Sequence, residues 1–129
     1  MGQEEWIACC LKKPYAFLTF PFGPETAVVK LGPPGASPRI FAQFFTLKGE
    51  PFTTFSCDRA TGEFYRAVYP GVVTRGHHCP PVQQPYFNTL PLSGAVPDEE
   101  IKNMIDLAYA AVTAKYPKTI RRILESENT

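Results

Sequence analysis

The chain has 129 residues, 44% of them hydrophobic and 19% charged, and its 13 basic and 12 acidic side chains leave a formal net charge of +1. This length and composition predict a single domain over residues 1–129 with its own core, and they exclude disordered and fibrous classes. The near-neutral charge excludes a strong overall attraction to nucleic acid or to an anionic membrane, so either partner would need a local basic patch.

The first half of the chain predicts a helix followed by an antiparallel meander. Residues 3–12 are typical of a helix, with acidic residues in the first turn, and Pro14 ends it. Residues 14–26 form a turn-rich connector, and 32–38 form a proline-rich loop. Three apolar or β-branched runs predict the strands of a three-strand meander, at residues 27–31, 40–47 and 52–57.

A second helix follows the meander directly. Asp58 is typical of an N-cap, because its carboxylate can accept hydrogen bonds from the free amides of the next turn. The helix is expected to run from Arg59 to about Tyr69, and its pattern predicts that it buries Phe64, Ala67 and Val68.

The rest of the chain predicts a hairpin and a long helix. Because a long structureless loop is uncommon in a compact domain, residues 76–84 are expected to form the tip of a hairpin with its second strand at 86–92. Pro97 and the acidic residues after it begin the long helix, which carries one apolar stripe. Pro117 interrupts this helix before a last basic piece.

These elements predict an α+β fold, in which a mainly antiparallel twisted sheet (a three-strand meander plus a hairpin) packs helices on one face. The large apolar residues of each element make up the expected core: Trp6, Phe41, Phe45, Phe55, Phe64, Val68, Leu90, Ile101, Ile105, Ala108 and Val112.

The N-terminus and the cysteines indicate a cytoplasmic protein without membrane association. The beginning MGQEEWIACC lacks the basic region of a secretory signal, and no apolar run approaches the roughly 20 residues that cross a bilayer. The cysteines show no paired spacing, so reduced thiols are expected at Cys9, Cys10, Cys57 and Cys79.

Several segments together resemble one family. These segments are FPFGPET before the first strand, IFAQF on the second, FSCD before the second helix, YPGVVTRGHH after it, and YFNTLPLSGAVPDEEIKNMIDLAYAAV at the end. In order and composition the chain resembles the MmcQ/YjbR family, small proteins with a frataxin-like (CyaY-like) arrangement described as predicted DNA-binding "double wing" proteins. The resemblance implies that the rings of FPFGPET pack against the helical layer, with Phe22 and Pro24 as structural anchors; an exposed aromatic edge is the rival interpretation.

The resemblance also implies DNA as a partner, bound through the wing loops 32–39 and 74–87. The candidate contacts are basic and aromatic residues of these loops: Arg39, Arg75, His77, His78, Tyr86 and Phe87. The chain departs from the family where Ser56 replaces a usual lysine. It also departs where Tyr86 and Phe87 stand in place of a tryptophan preceded by basic residues. These departures remove phosphate contacts. Lys115, Lys118, Arg121 and Arg122 are interpreted as solvated charges.

Neither a metal site nor a catalytic site is expected. Adjacent histidines in an extended segment point to opposite faces, so His77 is expected to be exposed and His78 to be structural. The frataxin-like arrangement suggests iron bound on an acidic first helix. This chain has only Glu4 and Glu5 there, so iron binding is not expected. Cys79 beside His78 has no third group to orient it, so no cofactor and no enzymatic activity are expected.

The alternative function is a module that binds a protein or a small ligand. It would use the proline- and aromatic-rich surface around Phe22, the loop tip 80–86 and Tyr109. The near-neutral charge and the uncharged tip favour this alternative, whereas the family resemblance favours DNA. The oligomeric state does not follow from the sequence.

Overall fold

A computed structural model describes residues 1–76 and 79–128. In this part of the chain there are four α-helices: Gln3–Leu11 (α1), Arg59–Val68 (α2), Asp98–Thr113 (α3) and Lys118–Glu127 (α4). The described strands are Ala16–Thr19 (β1), Ala27–Leu31 (β2), Arg39–Leu47 (β3), Glu50–Ser56 (β4), Thr74–Arg75 (β5) and Phe87–Pro91 (β6). The expected α+β class is therefore confirmed.

All described strands join one antiparallel sheet in the order β1-β2-β3-β4-β6-β5. The predicted meander is present but has a further strand, because β1 lies in the segment interpreted as a connector and pairs Ala16 with Leu31. The predicted hairpin is also present, with Thr74 opposite Thr89 and Arg75 opposite Asn88. Two short strands joined by a long tip thus complete the sheet beyond β4.

The helices pack on one face of the sheet and enclose the main core with it. Phe41 of β3 meets Tyr109 of α3 edge to face at 6.0 Å, and Phe44 meets Phe55 in the same way at 6.2 Å. Most of the expected core is buried there, namely Trp6, Phe41, Phe55, Leu90, Ile101, Ile105, Ala108 and Val112. No helix among the described residues is long and apolar enough to span a membrane.

The predicted burial of Phe45 is wrong, and a bulge in β3 explains why. Val29 lies opposite Ala42 but Lys30 lies opposite Ile40, so Phe41 is an extra residue in the ladder. Such a residue shifts the alternation of side chains by one. Phe41 and Ala42 therefore both face the core, and Phe45 lies half-buried on the opposite face of the sheet.

The predicted inner face of α2 is also wrong. Asp58 caps the helix as expected, and its Oδ1 accepts from the Thr61 amide at 2.7 Å. The buried residues of α2 are Gly62 and Tyr65. A Cβ on Gly62 would lie 2.9 Å from the Cys57 sulfur and 3.1 Å from the Pro85 carbonyl oxygen, so only glycine allows this close approach.

This packing sets the rotation of α2. With Gly62 and Tyr65 inward, the residues on either side of Tyr65 turn outward, since successive residues on a helix are about 100° apart. Phe64 is consequently 59% exposed and Ala67 is exposed too, while Val68, the last residue of the helix, is 48% exposed. The expectation that these three residues belong to the core is thus corrected.

Candidate functional site

The face of the sheet opposite the helices carries a cavity of about 460 Å³. This volume lies within the range of roughly 300–1,000 Å³ that is typical of small-molecule sites. The described lining is apolar with a few neutral polar groups: Phe22, Thr26, Ile40, Gln43, Phe45, Thr46, Leu47, Cys79, Pro80, Gln83 and Phe87. Among these residues only Cys79 has an ionisable side chain.

The floor of the cavity comes from β3. Phe44 faces the core, so its neighbours Gln43 and Phe45 point to the other side of the sheet. Phe45 stacks on Phe52 of β4 with ring centroids 6.2 Å apart and ring planes inclined by 19°. The bulge that moves Phe45 out of the core therefore also supplies the aromatic floor.

One wall is the segment that contains Phe22, and here the structural-anchor interpretation is wrong. Phe22 is 68% exposed and Pro24 is exposed as well. The turn is fixed by backbone hydrogen bonds from Gly23 to Phe20 and from Thr26 to Gly23, and Gly23 has a φ of 107°. The two prolines and the glycine thus hold a phenylalanine ring at the rim of the cavity rather than in the core.

The opposite wall is the tip of the β5–β6 hairpin. The Gln84 side-chain amide donates to the Cys79 carbonyl at 3.0 Å, and the Gln83 backbone amide donates to the Pro80 carbonyl at 2.8 Å. Gly76 lies so close to this turn that a Cβ there would meet the Cys79 sulfur and the Phe87 Cβ at 2.7 Å each. The described part of the tip therefore folds back over the sheet.

A second depression, of about 330 Å³, adjoins the cavity where β3 and β6 begin and α3 ends. Ile40, Gln83 and Phe87 line both. The second depression adds basic, aromatic and aliphatic side chains, namely Arg39, Tyr86, Val112 and Lys115. Lys115 lies with its Nζ 6.0 Å from the centre of the Phe87 ring.

Three of the predicted site residues, Arg39, Tyr86 and Phe87, thus come together. Lys115, which is exposed as expected for a solvated charge, joins them from the turn after α3, and no local pattern signals its contact with Phe87. Arg75 lies on the edge strand, outside both depressions. His77 and His78 lie outside the described residues.

The loop at 32–38, which the family resemblance makes a wing, is tied to the helices. The Tyr116 hydroxyl donates to the Ser37 carbonyl at 2.9 Å, and the Leu31 carbonyl lies 3.3 Å from the same oxygen. Burial raises the pKa of Tyr116, and the nearby Arg39 opposes that shift. The Arg39 guanidinium is 5.4 Å from the centre of the Tyr116 ring, so the loop and its cation are held in place.

Tyr109 does not contribute to a surface, contrary to the alternative interpretation. It is 2% exposed, packs on Phe41, and donates its hydroxyl hydrogen to the Pro14 carbonyl at 3.2 Å. Burial raises the pKa of Tyr109 to about 12. This residue is therefore structural.

The thiols of Cys79, which lines the cavity, and of Cys57, which is buried beside Gly62 of α2, are in their protonated form at neutral pH. Burial raises the pKa of Cys57 to about 11, and it raises the pKa of Cys79 as well. A thiolate is the reactive form of cysteine, so neither group is activated for nucleophilic attack. Within residues 1–76 and 79–128, no cluster of three or more His, Cys, Asp or Glu residues could hold a metal ion.

These features define a small α+β protein whose antiparallel sheet carries helices on one face and a cavity on the other. The chain belongs to the YjbR family, whose model matches residues 11–111. A search of curated proteins finds no match.

Solved structures agree with this assignment. The chain is similar to the crystal structure of Deinococcus radiodurans protein DR2400, which carries a DUF419 domain; the TM-score is 0.81 at 27% identity over 95% of this chain and 86% of that one. A Pseudomonas syringae protein shares the fold, with a TM-score of 0.63 at 15% identity over 84% of this chain and 96% of that one.

Proposed function

We propose that this protein is a non-enzymatic module that binds a small organic molecule in the cavity defined above, the open-face cavity. The observation that carries the proposal is the concave shape of this face together with its mainly apolar lining. A floor from β3 and two walls from separate segments surround about 460 Å³ of mainly apolar space. Pockets of this size and lining, with a few fixed polar groups, are typical of small-molecule sites.

The polar groups of the lining suit recognition rather than catalysis. Gln43 and Gln83 supply side-chain amides, and Thr26 and Thr46 supply hydroxyl groups, all of which are neutral at physiological pH. Acid–base catalysis needs a titrating group placed at the substrate. Burial moves the pKa of Cys79, the single ionisable group of the described lining, further above neutral pH.

The test is a titration of the ¹⁵N-labelled protein with 2-naphthamide, a neutral aromatic amide small enough for the cavity. Gln83→Trp should block binding, because residue 83 lines the cavity and an indole there would fill it. Val82→Trp is the matched control: Val82 is 84% exposed and lies outside the lining. Failure of 2-naphthamide to bind the wild type at millimolar concentration would refute the proposal, and equal loss in both variants would place the site elsewhere.

DNA binding is the second candidate, favoured by the basic and aromatic cluster of Arg39, Tyr86, Phe87 and Lys115. Proteins that bind single-stranded nucleic acid place cations against its backbone and stack aromatic rings on its bases. The family resemblance points the same way. Against it stand a net charge of only +1 and wing loops that fold onto the protein.

Fluorescence anisotropy with labelled single- and double-stranded DNA tests this candidate. Binding that falls steeply with salt and is lost in Arg39→Ala/Arg75→Ala would support it, because phosphate contacts release counterions. No binding at low salt would exclude it and leave the cavity as the functional site.

A further inference from the structure

We propose that the ligand is a small organic acid whose apolar body fills the open-face cavity and whose carboxylate is held by Arg39 and Lys115. This inference rests on the proposed function and adds the chemical class of the ligand. Its basis is the junction of the two depressions: one is apolar and uncharged, and the other, the basic end, contains two cations.

The two cations have no carboxylate partner in the described part of the chain. The ion pairs found there join the Met1 amino group to Asp98, Lys13 to Asp106, and Arg59 to Glu63. Among the described residues, no acidic side chain lines either depression. The positive charge of Arg39 and Lys115 is therefore available to an anion that enters from the cavity.

Each of the two cations lies beside an aromatic ring. The Arg39 guanidinium lies over Tyr116 and the Lys115 ammonium over Phe87, at 5.4 Å and 6.0 Å from the ring centroids. Such a contact restricts a long side chain before the ligand binds, so the side chain loses less conformational freedom on binding. A guanidinium also offers a planar pair of donors that matches a carboxylate.

The shared wall joins the two parts of the site. Ile40, Gln83 and Phe87 line both depressions, and Arg39 immediately precedes Ile40 in the chain. A flat apolar body on the cavity floor thus ends beside the two cations. An acid with one anionic end fits this arrangement better than a polyanion, because Arg75 lies outside it and a nucleic acid backbone needs several phosphate contacts along one surface.

The experiment compares 2-naphthoate, which is anionic at neutral pH, with its neutral analogue 2-naphthamide. Dissociation constants are measured by NMR titration of wild type, of Arg39→Gln/Lys115→Gln, and of the control Lys102→Gln/Arg122→Gln. The control removes the same charge from exposed positions outside both depressions. The wild type and the control should bind naphthoate about tenfold more tightly than naphthamide.

In Arg39→Gln/Lys115→Gln this preference should fall to near one, while the affinity for naphthamide stays unchanged. Equal affinities of the two ligands for the wild type would overturn the acid proposal and leave the cavity proposal standing. Binding of neither ligand would overturn both. A preference that the control loses to the same extent would show a general charge effect and would also overturn the acid proposal.

Discussion

The hydroxyl of Tyr116, three residues after the end of α3, donates at 2.9 Å to the carbonyl of Ser37 in the loop before β3. This bond joins residues 79 positions apart in the chain. It attaches the proline-rich loop to the helical layer and places Arg39 against the same ring. The position of the basic end therefore depends on a buried tyrosine.

Tyr116→Phe should lower the free energy of unfolding by about 1–2 kcal/mol, because it removes this bond and leaves carbonyl groups without their donor. Urea denaturation followed by circular dichroism measures the change. Tyr86→Phe is the matched control, since Tyr86 is 40% exposed, and its unfolding free energy should stay within about 0.5 kcal/mol of wild type. Equal effects of the two substitutions would contradict the structural role of Tyr116.

Phe22→Ala should leave the unfolding free energy within about 0.5 kcal/mol of wild type, because the ring is 68% exposed. It should also weaken 2-naphthamide binding, since Phe22 forms one wall of the cavity. Phe20→Ala, at a residue 50% exposed and outside the lining, should change neither quantity. A loss of stability of about 3–5 kcal/mol in Phe22→Ala, as for a buried ring, would restore the structural-anchor interpretation.

The hydroxyl groups of Thr54 and Thr89 form a buried pair with an O–O distance of 2.8 Å across β4 and β6. Thr54→Val should lower the unfolding free energy by about 1 kcal/mol, because it removes this buried hydrogen bond. In a double-mutant cycle, Thr54→Val/Thr89→Val should cost less than the sum of the single changes. Additive costs would show that the two hydroxyl groups do not interact.

Stability should decline at alkaline pH, from about pH 9 upward. Burial raises the pKa of Cys57 from 9.0 to about 11, so the unfolded chain loses the thiol proton first. The unfolded state then binds fewer protons than the folded state, and the unfolding free energy falls between these two values. Urea denaturation at a series of pH values measures the decline, which should be smaller in Cys57→Ser; an unchanged slope in that variant would remove Cys57 as a cause.

The order of elements followed from the sequence because turns, caps and apolar runs are local signals. Asp58 and Pro97 marked helix starts correctly, and the buried stripe of α3 followed from its helical spacing. The errors have a different origin. The bulge at Phe41 and the close approach of Gly62 to the Pro85 carbonyl depend on partners distant in sequence, and each changes which side chains of its element face the core.

The candidate site was predictable only in part for the same reason. Arg39, Tyr86 and Phe87 were identified from loop composition, but the cavity beside them depends on Phe45 leaving the core. Lys115 lies 28 positions after Phe87, and only the packing of α3 brings the two together. Composition can indicate a surface of this kind, whereas its concave shape arises from tertiary structure.

The most direct measurement of the central claim is a ¹H–¹⁵N titration with 2-naphthamide that follows the side-chain amides of Gln43 and Gln83. Both line the cavity, whereas the Asn103 amide bonds to Glu100 on the exposed face of α3 and serves as an internal control. The account predicts saturable shifts of the two glutamine amides and none of Asn103. Shifts absent from both glutamines, or equal in all three residues, would contradict a binding site in the open-face cavity.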